Sequence, residues 1–174
     1  DQGSGRAERG GGLAPSLRRS DPEVDADRVG VAGTSWCGYM TSTVAGVGSE
    51  FKFAGPVYGC GCLGENSAWL PALEKMGKEK ADLWLRQWDP SSYLGKAKMP
   101  ILWVNGTNDF AYPMDSWQTS YRLPTSPRTL CLRLRMQHGP GPVGEHPEEI
   151  HFFANPSLHV RNTNPPIPHP RETG

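Results

Sequence analysis

The chain has 174 residues, enough for one domain with one sizeable hydrophobic core. Its 18 Lys and Arg residues balance 18 Asp and Glu residues, and the basic residues form no stripe interleaved with aromatic residues. The chain thus lacks the basic surface pattern that is typical of proteins that bind nucleic acid or anionic membranes, and a small-molecule ligand is favoured. No apolar run has the length of a membrane-spanning helix, and the first residues lack the apolar centre of a signal peptide. A cytoplasmic location is therefore the default expectation.

The four cysteines are too few for a disulfide scaffold; they are Cys37, Cys60, Cys62 and Cys131. Cys60 and Cys62 have C-x-C spacing, but no second Cys or His pair follows at the spacing of a zinc site. We therefore expect buried thiols, no metal site and no cofactor.

Glycine and proline are concentrated near the two ends of the chain. We interpret residues 1–12 as a disordered segment or a cloning remnant, residues 13–158 as the folded domain, and residues 159–174 as a Pro-rich flexible tail. Near the start of the domain, "APSLRRSDPEV" predicts a short helix that Pro22 interrupts.

The middle of the chain alternates predicted strands with predicted helices. A strand that is apolar on both faces is expected at Arg28–Ala32, followed by a helix in "WCGYMTSTVAGV" and a second strand in "FKFAGPVYG". Residues 64–94 show helical periodicity in two or three short pieces. The remaining elements are a strand in "MPILWVNG", a helix in "YPMDSWQTSYRL", a strand in "RTLCLRLRM" and a last helix in "HPEEIHFFAN". This alternation predicts an α/β fold with about four parallel strands flanked by helices.

Three residues with catalytic potential follow three of the predicted strands. Ser35 lies in "GTSWC", Asp109 in "VNGTNDFAYP" and His138 in "RMQHGPGP". Ligands of parallel sheets bind beyond the carboxyl ends of the strands, so these side chains are expected to meet. A histidine that takes a serine proton, with an aspartate orienting its imidazole, is the machinery of acyl transfer. The backbone N–H of Trp36, at the start of a helix, would help to hold the oxyanion.

Each of these residues also has an ordinary structural interpretation. Ser35 fits a helix N-cap, Asp109 fits an Asx-turn, and His138 fits a loop histidine. Their order along the chain, serine then aspartate then histidine, is that of α/β-hydrolases and favours the catalytic interpretation. The remaining histidines lie in the predicted last helix or the tail; they are His146, His151, His159 and His169.

Several aromatic residues are candidates for lining a substrate pocket. Trp84 and Trp88 are four residues apart on one predicted helix face, where a buried core stripe is the favoured interpretation. Tyr58, Trp69 and Tyr112 lie near predicted strand ends or in the helical excursion, and we predict that they contact substrate.

Long stretches of the chain resemble a known family. These include "PEVDADRVGVAGTSWCGYMT", "FKFAGPVYGCGCLGENSAWLP", "WDPSSYL", "MPILWVNGTNDFAYPMDSWQTSYRLP" and "RTLCLRLRMQHGPGPVGEHPEEIHFFA". They closely resemble the carboxyl-terminal catalytic part of acetyl xylan esterase-like and dienelactone hydrolase-like α/β-hydrolases, from about Ala14 to Leu158. The resemblance implies a serine esterase that hydrolyses small acyl esters, such as those of acetylated carbohydrate, with Ser35, Asp109 and His138 as its triad.

Two features depart from the family pattern. Cys37 stands where the family elbow, similar to G-x-S-W-G-G-Y, has a glycine, so we expect local strain and reduced stability with the thiol directed away from the cleft. Residues 1–27 show no preceding strands and no loop resembling His-Gly-Gly that would supply a second oxyanion donor. The sequence therefore predicts a truncated α/β-hydrolase fold whose first strand is an apolar edge. Such an edge predicts pairing with a second copy of the chain in a dimer.

Two other functions fit the same residues. A serine peptidase of the prolyl oligopeptidase type has an elbow that also resembles G-x-S-x-G-G-Y, although nothing in the chain resembles a propeller domain. A weak or inactive hydrolase fragment that acts as a binding or structural module fits the missing strands and Cys37.

Overall fold

The computed structural model describes residues 29–139, which form a parallel four-stranded sheet flanked by helices. The strands stand in the order β1 (Val31–Thr34), β2 (Ala54–Val57), β3 (Ile101–Asn108) and β4 (Arg128–Gln137). The helices of this part are α1 (Trp36–Val47), α2 (Leu70–Met76), α3 (Lys78–Trp88), α4 (Ser91–Leu94) and α5 (Met114–Arg122). The predicted α/β class with four parallel strands is confirmed.

The strand register brings the carboxyl ends of β1 and β2 level with one another, whereas β3 continues beyond them to Asn108. Thr34 pairs with Val57, and Val57 pairs with Val104. Beyond these pairs, the Ser35 N–H donates to the Val57 carbonyl at 3.0 Å, and the Tyr58 N–H donates to the Val104 carbonyl at 2.8 Å. The residues that leave the strands are thereby fixed side by side at one edge of the sheet.

The sheet separates two groups of buried apolar side chains. Successive residues of a strand point to opposite faces, and β3 shows this clearly. Ile101 and Trp103 belong to the larger cluster, whereas Leu102 and Val104 belong to the smaller one. The larger cluster also holds Tyr39 from α1 and Trp117 from α5, so those helices pack on that face of the sheet.

Strand β1 differs from its prediction in position and in burial. It spans Val31–Thr34 and not Arg28–Ala32, because Gly33 and Thr34 continue the ladder opposite Pro56 and Val57 where a glycine had indicated a turn. The expectation that it is apolar and covered on both faces is wrong, since Ala32 and Thr34 are exposed. Within residues 29–139 its one neighbouring strand is β2, and pairing with a second copy stays a prediction.

The other predicted elements agree with the structure to differing degrees. The predicted helix in "WCGYMTSTVAGV" coincides with α1, and residues 64–94 form the three short helices α2, α3 and α4. Strand β2 covers four residues of the predicted "FKFAGPVYG". The predictions for residues 1–12, for "APSLRRSDPEV", for "HPEEIHFFAN" and for residues 159–174 lie outside the described residues. No helix between residues 29 and 139 combines the length and apolar character needed to cross a membrane.

Candidate active site

Ser35 occupies a strained turn between β1 and α1. Its backbone has φ 58° and ψ −121°, a left-handed region that L-residues with side chains rarely adopt. The Ser35 N–H donates to the Val57 carbonyl, and the Ser35 carbonyl accepts the Tyr39 N–H at 2.9 Å. Both backbone groups are thus anchored, and the side chain makes no helix-capping hydrogen bond. Ser35 is therefore the N-cap residue of α1 by position, but its hydroxyl does not cap the helix and is available to another partner.

The strain of this turn lies at Ser35 and not at Cys37. Cys37 is an exposed residue of α1, and its φ is not among the positive values of the described residues. Close approach of α1 to the sheet depends on the next residue, Gly38, where a Cβ would lie 2.6 Å from the Val57 carbonyl oxygen. The expected strain at Cys37 is thus wrong, and an effect of Cys37 on stability stays a prediction.

Asp109 lies directly after β3 with its side chain fully buried. One carboxylate oxygen, Oδ1, accepts the N–H groups of Ala111 and Tyr112, each at 2.8 Å. The other, Oδ2, lies 2.9 Å from Nδ1 of His138. The Asx-turn interpretation is therefore correct for Oδ1, and the same turn aims Oδ2 at the histidine.

His138 reaches this position because β4 is irregular near its end. Gly106 pairs with Arg133 and Asn108 pairs with Gln137, so two steps along β3 correspond to four along β4. Arg135, inside the irregularity, has φ 60°, and its N–H donates to Thr107 Oγ1 at 2.8 Å. A Cβ on Gly106 would collide with the Met136 carbonyl. Bulges commonly redirect side chains next to functional sites, and this one brings His138 back over the sheet edge.

The structure brings Ser35, His138 and Asp109 into one hydrogen-bonded chain. Ser35 Oγ lies 2.7 Å from His138 Nε2, and His138 Nδ1 lies 2.9 Å from Asp109 Oδ2. A carboxylate only accepts hydrogen bonds, so Nδ1 of the imidazole is the protonated nitrogen. In the neutral imidazole Nε2 is then an acceptor, and the Ser35 hydroxyl donates to it. This arrangement has the geometry for removing the serine proton.

Three aromatic rings surround the His138 imidazole. The centroids of Tyr58, Tyr112 and Phe110 lie 4.8, 5.6 and 5.7 Å from its centroid. Tyr58 and Tyr112 are buried, and burial holds the pKa of the Tyr112 phenol well above its usual value. The two tyrosines thus contact the histidine, and substrate contact by either stays a prediction.

Trp69 and Trp36 extend this aromatic group towards the start of α1. The Trp69 ring lies 4.9 Å from Tyr112 and 5.9 Å from Trp36, which is half exposed. The Trp36 N–H belongs to the first turn of α1, where backbone donors have no acceptor within the helix. Of the other two tryptophans of the excursion, Trp84 packs against the larger core cluster, and the Trp88 carbonyl accepts the Tyr39 hydroxyl at 2.5 Å.

Sequence reasoning missed Phe110 and Asp89. The one sequence signal for Phe110 is that it directly follows Asp109. Asp89 is buried, and its carboxylate accepts the N–H groups of Cys62 and Leu63 at 2.9 Å and of Ser91 at 2.8 Å. It thereby fixes the loop after β2, which leads to Trp69.

Cys60 and Cys62 are buried free thiols, as predicted. Burial raises the pKa of Cys60 well above its usual value and raises the pKa of Cys62 to about 11. Among residues 29–139, no three His, Cys, Asp or Glu side chains are grouped as metal ligands would be.

Comparison with solved structures identifies the architecture. No family model matches the sequence, and no curated protein matches it significantly. An acetyl xylan esterase from a Paenibacillus species superposes with a TM-score of 0.67 at 21% sequence identity, over 83% of this chain and 50% of the esterase. A 2,6-dihydroxy-pseudo-oxynicotine hydrolase superposes with a TM-score of 0.69 at 18% identity, over 89% of this chain and 47% of the hydrolase.

The chain has an acetyl xylan esterase-like α/β-hydrolase fold. An acylaminoacyl peptidase from Pyrococcus horikoshii also matches, with a TM-score of 0.57 at 20% identity, over 72% of this chain and 22% of the peptidase. As the coverage of the acetyl xylan esterase shows, this chain spans about half the length of that protein. Within this fold, Ser35 occupies the strained strand-to-helix turn between β1 and α1.

Proposed function

We propose that this protein is a serine hydrolase that cleaves small carboxylic esters through an acyl-enzyme intermediate. The observation that carries the proposal is the hydrogen-bonded chain from Ser35 through His138 to Asp109, at the carboxyl ends of β1, β4 and β3. The strained backbone of Ser35 adds support, since strain of this kind is concentrated at functional sites.

The proposed acylation begins with attack of Ser35 Oγ on the ester carbonyl carbon. His138 Nε2 takes the hydroxyl proton, and Asp109 Oδ2 stabilises the resulting imidazolium through Nδ1–H. The tetrahedral intermediate collapses as the ester C–O bond breaks, and His138 returns the proton to the leaving alcohol. Water then repeats the sequence on the acyl-enzyme, releasing the acid and restoring Ser35.

The backbone N–H of Trp36 is the proposed oxyanion donor. It follows the nucleophile directly, and the amino end of α1 adds a favourable partial positive charge. One donor of this kind contributes about 3 to 4 kcal/mol in a well-studied protease. A site with this donor alone is thus expected to turn over more slowly than one with two.

We propose an ester as the substrate class, and a peptidase that cleaves an amide is the second candidate. The acetyl xylan esterase supports the ester, and the acylaminoacyl peptidase supports the amide. Both substrates use the same triad chemistry, so the leaving group alone separates the two functions.

Hydrolysis of p-nitrophenyl acetate and butyrate, beside an alanine p-nitroanilide, tests the proposal. We expect turnover of the esters that falls at least about a thousandfold in Ser35→Ala, since a triad nucleophile accounts for a factor of that size or more. Ser49→Ala, which alters an exposed serine in the loop after α1, is the matched control and keeps full activity. Faster cleavage of the anilide would instead favour the peptidase. Equal rates for the wild type and a folded Ser35→Ala would contradict the proposal and favour an inactive hydrolase fragment.

A further inference from the structure

Phe110 is a large apolar side chain left exposed beside the triad. Its side chain is 68% exposed, although it lies between the buried residues Asp109 and Ala111. Its ring centroid lies 5.7 Å from that of His138, with the planes at 75°. An exposed aromatic ring against a catalytic histidine is a surface on which an apolar ligand can be stabilised.

The turn that holds Asp109 also holds Phe110 outside the core. Asp109 Oδ1 accepts the N–H groups of Ala111 and Tyr112, which fixes the backbone on the carboxyl side of Phe110. Tyr112 takes the interior position and is fully buried. The Phe110 ring therefore cannot exchange places with Tyr112 without breaking the hydrogen bonds that orient Asp109.

The position of Phe110 next to His138 places it on the leaving-group side of the ester. His138 gives its proton to the departing alcohol, so the alcohol oxygen must approach Nε2 of the imidazole. The acyl carbon, in contrast, is bonded to Ser35 Oγ during the reaction. A ring that contacts His138 therefore neighbours the alcohol portion of the substrate more closely than the acyl portion.

We propose that Phe110 determines specificity by selecting esters whose alcohol portion presents an apolar ring face. This inference rests on the proposed function, and it names the chemistry of the leaving group. Aromatic side chains favour offset or edge contacts with another ring and bury more area against a ring than against a short chain. The shared chemistry is a flat apolar face, which either an aromatic ring or a saturated ring provides.

The test compares kcat/KM for acetate esters of alcohols with similar acidity. Benzyl, cyclohexylmethyl and ethyl acetate give the same acetyl-enzyme, so their differences report on acylation and hence on the leaving group. Each ratio is divided by the corresponding ratio of hydroxide-catalysed rates. We expect the wild type to favour benzyl over ethyl acetate by about tenfold, because the ring of the benzyl group buries more area against Phe110 than the ethyl group does.

Variants at Phe110 test the assignment directly. Phe110→Ala is expected to reduce the benzyl to ethyl ratio to within about threefold of unity, and Phe110→Tyr, which keeps the ring, to retain it. Leu83→Ala, which removes a half-exposed apolar side chain from α3, is the control and leaves the ratio unchanged. A kcat/KM for cyclohexylmethyl acetate equal to that for benzyl acetate would show that any apolar ring is selected. A value equal to that for ethyl acetate would show that the ring must be aromatic.

Two different results would overturn the inference, and only the second would also contradict the proposed function. Turnover that depends on Ser35 but shows the same benzyl to ethyl ratio in the wild type and Phe110→Ala would contradict the role of Phe110 alone. Absence of Ser35-dependent turnover for all three esters would contradict the proposed function and this inference together.

Discussion

Ser35 Oγ lies 2.7 Å from His138 Nε2, although 103 residues separate the two along the chain. Their strands, β1 and β4, are the outermost pair of the described sheet, with β2 and β3 between them. The irregular end of β4 and the elbow after β1 carry the two side chains towards each other above β2 and β3. The contact therefore depends on two strained backbone positions, Ser35 and Arg135.

Asp109→Asn is expected to lower kcat for p-nitrophenyl acetate by roughly a thousandfold or more, because an amide at the Oδ2 position favours the wrong imidazole tautomer. The Oδ1 acceptor is retained in the variant, so the turn and the fold should persist. Asp115→Asn, at an exposed carboxylate of α5 that accepts from Asn66, is the control. A loss smaller than about tenfold would argue against an orienting role for Asp109.

Gly106→Ala is expected to displace the irregular end of β4. The new Cβ would collide with the Met136 carbonyl, two residues before His138. We predict a loss of about 1 to 3 kcal/mol in the free energy of unfolding, measured in urea, together with a loss of esterase activity. Gly95→Ala is the matched control, since the nearest atom to its added Cβ is 3.9 Å away. Wild-type activity in Gly106→Ala would show that the path of β4 does not position His138.

The stability of the fold is expected to decrease between about pH 9 and pH 11 because of the Cys62 thiol. Burial raises the pKa of this thiol from 9.0 to about 11. In this pH range the folded state retains a thiol proton that the unfolded state has lost. The free energy of unfolding therefore keeps its full value below the pKa of the unfolded thiol and falls as the pH rises towards the pKa of the folded one. Because part of the thiol's surroundings is solvent, which screens the effect, the contribution is on the order of 1 kcal/mol. Urea unfolding of the wild type and of Cys62→Ala at about pH 8 and about pH 11 measures it. Parallel decreases in the two proteins would contradict it.

The four thiols are expected to react in an order set by their exposure. Cys37 is exposed, Cys131 is partly buried, and Cys60 and Cys62 are buried. Because the thiolate is the reactive form, burial and a raised pKa both slow Cys60 and Cys62. Timed alkylation followed by peptide mass analysis should label Cys37 first and Cys60 and Cys62 only in denaturant. Early labelling of Cys62 would show that the loop after β2 opens in the native protein.

Much of this site was predictable because its residues directly follow predicted strands. Ser35 and Asp109 each come after an apolar run, and parallel strands place such residues at one edge of the sheet. The end of helix α1 was predictable because Gly48 follows its last residue, Val47, although the other predicted breaker, Gly46, lies within the helix. Local sequence could not indicate that Arg135 adopts a positive φ or that Asp89 binds a loop some 27 residues earlier. Both depend on distant partners that no short-range pattern specifies.

Covalent labelling with a fluorophosphonate tests most directly whether Ser35 is an activated nucleophile. Intact mass and peptide mapping of the wild type, Ser35→Ala and His138→Gln locate the adduct and give its rate. We expect one adduct, on the peptide that contains Ser35, which is absent in Ser35→Ala and forms much more slowly in His138→Gln. A folded wild type that stays unlabelled, or an adduct that persists in Ser35→Ala, would contradict it.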